Sequence, residues 1–284
     1  MMNPAELDNI ARCEKEFWWY RGMELILFQL LDPIVKRRGG ASGDRCAVGQ
    51  TTKSDGLPHG LDASISGVAF KKAVEAGCGT GHIALRLEKQ YGWRVFPTDL
   101  QREALQYGME QGCRRLAQAD IAALPFPDRC FDAAVSLDVM VYIPRGQEAG
   151  VLKELVRVLA PGGLLVLRAA ALEILRSHHA EFTGERQRFT RSQIVKLVSE
   201  QGVKVIRCTY ANSLLMPIAL AKFRIVEPLI ATMLRSQPES GVQPIATWLD
   251  RLLYGVLKLE AKWLGSGRNL AVGQSLILIG ERSA

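Results

Sequence analysis

Four carboxylates and three glycines in the middle of the chain have the types and spacing to hold a ligand. In Ala73-Val74-Glu75-Ala76-Gly77-Cys78-Gly79-Thr80-Gly81-His82-Ile83-Ala84-Leu85, an apolar, strand-like approach ends in an acid. Three glycines follow at every second position, and then a helical pattern begins. Strand, tight turn and helix in that order can lay a nucleoside against bare backbone at a helix N-terminus. A glycine turn can also be only a turn. The nicotinamide fingerprint wants its third glycine one position later, where His82 stands, so it fits poorly.

The elements around this turn decide between the two readings. Strand-like runs at Ala73–Ala76, Trp93–Pro97, Arg115–Gln118, Phe131–Leu137 and Leu164–Arg168 alternate with helical patterns at Ile83–Tyr91, Gln101–Gln111 and Glu148–Leu159. That alternation predicts an α/β fold built on a mainly parallel, doubly wound sheet. In such sheets ligands lie outside the carboxyl ends of the strands. Glu75, Asp99, Asp120 and Asp138 all fall at those ends. Asp99 can accept both hydroxyls of a ribose, or it can cap the helix that starts near Gln101. Asp120 can accept from an adenine amino group while Ile121 covers the ring, or it can be a turn residue. Leu137 can cover the other ring face and Asp138 can meet an ammonium group.

Together, Glu75–Gly81, Asp99, Asp120-Ile121 with Leu124-Pro125-Phe126, Phe131-Asp132 through Asp138, and Leu159-Ala160-Pro161-Gly162-Gly163 resemble the class I methyltransferases that use S-adenosylmethionine (SAM). The resemblance covers roughly residues 70–170. It implies a seven-stranded Rossmann-like sheet whose last strand is antiparallel, with Val203–Tyr210 and Ser275–Gly280 as the final two strands. It implies a SAM site made by Glu75, Gly77, Gly79, Gly81, Asp99, Leu100, Asp120, Ile121, Leu137 and Asp138. S-adenosylhomocysteine would be the product.

The flanks resemble a narrower branch of that family. Glu14 with Phe17-Trp18-Trp19-Tyr20-Arg21-Gly22 is similar to a Glu-x-x-His-Trp-Trp-Phe-x-Gly signature, with Phe17 in place of the histidine and Tyr20 in place of the phenylalanine. Arg186–Arg191 and Tyr210–Pro217 resemble an Arg-Arg-Tyr-Thr segment and a Tyr-Phe-Asn-x-Leu-Leu-Phe-Pro segment. Four aromatics in a row cannot all face one core from one helix. Read as a lid, residues 1–38 bring Trp19 to the cofactor and Arg21 to its carboxylate. Read otherwise, they are a helix on the sheet edge. Tyr20, Tyr142, Arg188, Tyr210 and Asn212 are the candidate substrate contacts. His178 and His179 are candidate general bases in a loop that in this fold lies over the methyl group, although a solvated polar cluster reads equally well.

Residues 39–68 are rich in Gly, Ser, Asp and Thr and read as a flexible linker. Residues 69–212 form the SAM-binding core, 213–266 a helical cap over the pocket, and 267–284 the final strand. Within the cap, Leu214–Leu234 is interrupted by Lys222, Arg224 and Glu227, so it does not read as a membrane span. Ile245–Leu264 is an amphipathic helix, for which a homodimer face or a lipid-substrate surface are alternatives. An apolar cap points to a small-molecule acceptor with an apolar part.

Composition sets outer bounds. The 284 residues are 48% hydrophobic and 23% charged, ordinary for a globular protein. The six cysteines form no CxxC pair and the four histidines are dispersed, so no zinc site is expected. Scattered thiols and the lack of a signal-like start point to a cytoplasmic protein. The net charge of +7 is spread out, which does not point to a nucleic-acid substrate. The expected reaction is in-line methyl transfer to a hydroxyl, amine or similar nucleophile. A SAM-binding regulatory subunit and an RNA methyltransferase are the competing readings. The absence of an Asn-Pro-Pro-Tyr run after the fourth strand argues against methylation of planar amino groups.

Overall fold

The computed structural model describes residues 2–39, 71–227, 229 and 245–284. The expected linker therefore lies outside the described residues, apart from Gly39. The described residues include seven strands: β1 (Lys72–Ala76), β2 (Arg94–Asp99), β3 (Ala117–Gln118), β4 (Phe131–Leu137), β5 (Leu159–Ala170), β6 (Val203–Ala211) and β7 (Ser275–Arg282). They form one sheet in the order β3-β2-β1-β4-β5-β7-β6. Pairings from β3 through β5 are parallel, and β7 is antiparallel to both of its neighbours.

The central strands β1, β4, β5 and β7 are buried on both faces along most of their length, as near-continuous apolar runs require. Their side chains alternate between two cores. On β7, Leu276 and Leu278 face one core while Ile277 and Ile279 face the other. On β5, Leu165 and Leu167 are set against Leu164 and Val166 in the same way. The first core is closed by α5 (Glu148–Val158) and α7 (Arg191–Glu200). Thr190 starts α7 with a capping box shared with Gln193, a device that contributes about 1 kcal/mol.

The second core is closed by α2 (Trp18–Gly39), α3 (His82–Tyr91) and α9 (Thr247–Gly265). Gly22 of α2 lets α9 approach closely. A Cβ at that position would lie 2.2 Å from the Leu257 side chain. Leu257, Ala261 and Leu264 give α9 its buried stripe. Truncating such a leucine to alanine costs about 2–5 kcal/mol.

This arrangement corrects two expectations. The cap expected over residues 213–266 divides in two. Of the described residues in it, Lys222 and Phe223 of the π-helical turn Lys222–Val226 and the following Glu227 line the ligand cavity; α8 (Met216–Ala221) precedes that turn without lining it, and α9 belongs to the layer on α2. The expected N-terminal lid divides as well. α1 (Pro4–Cys13) and the start of α2 face the cavity, and the rest of α2 is core. An amphipathic pattern shows that a helix has a face to bury but not which partner buries it. No helix among the described residues is long and apolar enough to cross a membrane.

Candidate functional site

A cavity of about 1180 Å³ opens at the carboxyl ends of β1, β2, β4 and β5. That exceeds the roughly 300–1000 Å³ of an ordinary ligand pocket, which leaves space for two ligands. Its floor is the glycine turn. The Gly77 and Cys78 N–H groups both donate to the Thr98 carbonyl at 2.8 Å. The Gly79 N–H donates to Asp99 Oδ2 at 2.9 Å, and Asp99 Oδ1 accepts from the Gln101 N–H at the same distance. The carboxylate of Asp99 thus fixes the turn instead of capping α4 (Arg102–Gln111), whose N-cap residue is Gln101. Burial raises the Asp99 pKa, against the pull of those hydrogen bonds.

The three glycines have different duties. Gly77 and Gly81, both at positive φ, are sterically enclosed. A Cβ would lie 2.1 Å from Val139 at the first and 2.6 Å from Cys113 at the second. Gly79, with φ +52°, has open space where its Cβ would point. That is the bare backbone against which a ligand can lie.

Glu75, the penultimate residue of β1, has 2% of its surface exposed, and its Oε2 has no hydrogen-bond partner. Burial raises its carboxyl to about 8. A buried carboxylate oxygen without a partner is costly unless a ligand supplies one. Asn212 has the same character: it is 1% exposed, and both polar atoms of its side-chain amide are unpaired while it lines the cavity. Its φ of +56° is held by Glu260 of α9. That carboxylate accepts from the N–H groups of Asn212, Ser213 and Leu214.

Most of the residues expected from the sequence meet here. Glu75, Gly77, Gly79, Asp99, Leu100, Asp120, Ile121, Leu137, Asp138 and Trp19 line the cavity, as do Tyr20, Tyr142, Arg188, Asn212, His178 and His179. Three do not. Gly81 is turned into the packing at Cys113. Arg21 points away to α9, where it pairs with Asp250 at 2.6 Å and lies over the Tyr254 ring. Tyr210 is in the sheet core, its hydroxyl accepting from the Arg191 N–H.

Several cavity residues have no assignment from sequence, among them Arg168, Glu14, Glu24 and Glu6. Arg168, at the end of β5, places Nε and Nη2 at 2.8 and 2.6 Å from Asp138 Oδ2 and lies over the Trp19 ring. A charge closing an apolar strand was its signal. Glu14 is 4% exposed and accepts from Thr80 Oγ1 at 2.5 Å and from Gln111 Nε2 at 2.6 Å. Glu24 joins His82 and Arg86 of α3. Burial would raise its pKa, but the His82 hydrogen bond and the Arg86 charge bring it below the ordinary value. Glu6 of α1 is 1% exposed, with Oε1 3.9 Å from His179 Nε2.

α1 itself spans the mouth as a strap. On one side Tyr107 donates to Asp8 and Gln101 donates to the Met2 carbonyl. On the other side Asn3 bonds Phe182 and Thr183 of α6 (His178–Thr183). Burial pushes the hydroxyl pKa of Tyr20 and Tyr142 up and the imidazole pKa of His179 down.

The family model described as "Methyltransferase domain" matches residues 74–167, from β1 through β5. Residues 74–167 thus carry the likeness to a methyltransferase domain. The chain is 35% identical over 144 residues to malonyl-[acyl-carrier protein] O-methyltransferase of Pectobacterium atrosepticum, covering 49% of this chain and 53% of that protein. It is 31% identical over 144 residues to 2-phytyl-1,4-naphtoquinone methyltransferase of Nostoc punctiforme, covering 46% and 59%. The chain thus spans about half the length of these relatives. In overall fold it is similar to a chain from the complex of the Haloferax volcanii Trm112 methyltransferase activator with a methyltransferase. The TM-score is 0.54 at 16% identity, with 98% of each chain covered.

Proposed function

We propose that the chain binds SAM in this cavity and transfers its methyl group to a hydroxyl, amine or similar nucleophile of a small molecule that has an apolar part. The observation that carries the reading is the unpaired, buried Oε2 of Glu75 beside a glycine turn that is open at Gly79. Bound there, SAM would supply an activated methyl group on a sulfonium. Asp99 and Asp120 would hold hydroxyl and amino groups of its nucleoside, with Leu100 and Ile121 over the rings. Glu75 and the Asp138–Arg168 pair would meet the charged amino-acid end. Positioning alone can lower the barrier by about 7–11 kcal/mol.

The acceptor half of the cavity supports the rest. Phe17, Tyr20, Tyr142, Ile143 and Phe223 give it apolar walls. The phytyl quinone in the name of one relative fits such a wall. His179, near Glu6, is the group suited to take a proton from the nucleophile.

Calorimetric titration with SAM and S-adenosylhomocysteine tests the site. Release of S-adenosylhomocysteine with phenolic, quinol, carboxylate and amine acceptors then tests the transfer. Binding without turnover on any acceptor class would favour a regulatory SAM-binding subunit. No binding by the wild type would end the proposal.

A further inference from the structure

α9 carries a second face that the described residues leave exposed. Trp248, Leu252, Leu259 and Trp263 are 68%, 57%, 66% and 47% exposed. Their spacing places them in a strip about 60° wide on a helix of 3.6 residues per turn. The strip lies opposite Leu257, Ala261 and Leu264, which bury the helix on the core. Beside it, within about 40° of one another, run Arg251, Lys258 and Lys262, all exposed and without ion pairs among the described residues.

We infer that α9 docks flat on an anionic lipid surface, with the Trp–Leu strip in the interface and the basic row against the head groups. Tryptophan at both ends, leucine between and cations along the edge is the composition of an interfacial helix. Charge decides the occupant. The only acids of α9 are Asp250 and Glu260. Asp250 is held by Arg21 and the Trp18 N–H, and Glu260 by three backbone N–H groups. A second copy of this face would therefore offer the three cations no carboxylate from its own α9, whereas an anionic membrane offers phosphates. Arg268, stacked on Trp263 at 4.3 Å, extends the basic edge. The net charge of +7 favours approach to the same surface.

The test is flotation of the full chain with phosphatidylcholine vesicles, with and without phosphatidylglycerol. The wild type should float only with the anionic vesicles and should be released by salt. Substitution W248A/W263A should lower the partition by about tenfold or more. R251E/K258E/K262E should lower it by roughly fivefold or more per cation. Both variants should keep wild-type SAM affinity and helical circular dichroism, because these side chains lie outside the cavity and the core. The inference is overturned if the wild type does not float at low salt or if the variants float as well as it does. It is also overturned if the face proves to hold together a dimer that the tryptophan substitutions separate.

Discussion

The Thr80 hydroxyl donates to Glu14 Oε2 across 2.5 Å, which joins the glycine turn to the end of α1. The strap over the cavity is therefore fastened to the turn on which the proposed cofactor would lie. Replacing Thr80 with valine leaves a buried carboxylate short of a donor, a loss of about 1–3 kcal/mol. T80V should bind SAM roughly tenfold more weakly, chiefly through faster dissociation, as read by stopped-flow fluorescence.

Gly77 and Gly79 should fail differently. At Gly77 a methyl group meets Val139 at 2.1 Å, so G77A should lose stability, by about 1–3 kcal/mol in denaturant unfolding. At Gly79 the methyl enters open space at positive φ. G79A should unfold within about 1 kcal/mol of the wild type and show its main loss in SAM affinity. Equal losses in both measurements for both variants would refute this separation of duties.

Glu75 makes binding depend on pH. Its carboxyl moves from an ordinary 4.5 to about 8 on burial. Between those values the folded chain holds a proton that the unfolded chain has lost, so this residue lowers stability as pH rises through that window. A cation beside Oε2 favours the carboxylate, so SAM binding should release a proton below pH 8. At neutral pH the binding enthalpy should then differ between phosphate and Tris buffers, and E75Q should remove the difference.

His179 should govern turnover on a hydroxyl acceptor. Burial lowers its pKa below the ordinary 6.5, against the charges of Glu6 and Glu185 and together with those of Arg188 and Lys222. It is thus neutral and able to accept a proton at neutral pH. H179A should reduce kcat by roughly 10²–10⁴ with SAM affinity unchanged. The wild-type rate should rise with pH through a value below 6.5. A variant with full kcat would remove the base from the mechanism.

That the acids and glycines of the turn would share one cavity was legible because the logic is local. An acid ending each strand and glycines at a turn are set by neighbours in sequence, and nearly all of them reached the cavity. Distant pairings were not legible. Arg21 was read as a ligand contact because nothing near it reveals Asp250, which is 229 positions away. α9 was read as a cap for the same reason, since its buried stripe fits any apolar surface until α2 is in place. Glu14 was visible within a motif, but its hydrogen bond with Thr80 spans 66 positions and no local pattern encodes it.

β7 sits inside the sheet, antiparallel to β5 on one side and β6 on the other. Until it arrives, β5 and β6 each present a bare row of amide and carbonyl groups able to pair with another molecule. A chain stalled or cut before Ser275 therefore carries two adhesive edges instead of a smaller working domain. Quality control and expression yield should turn on these last residues as sharply as on the cavity itself.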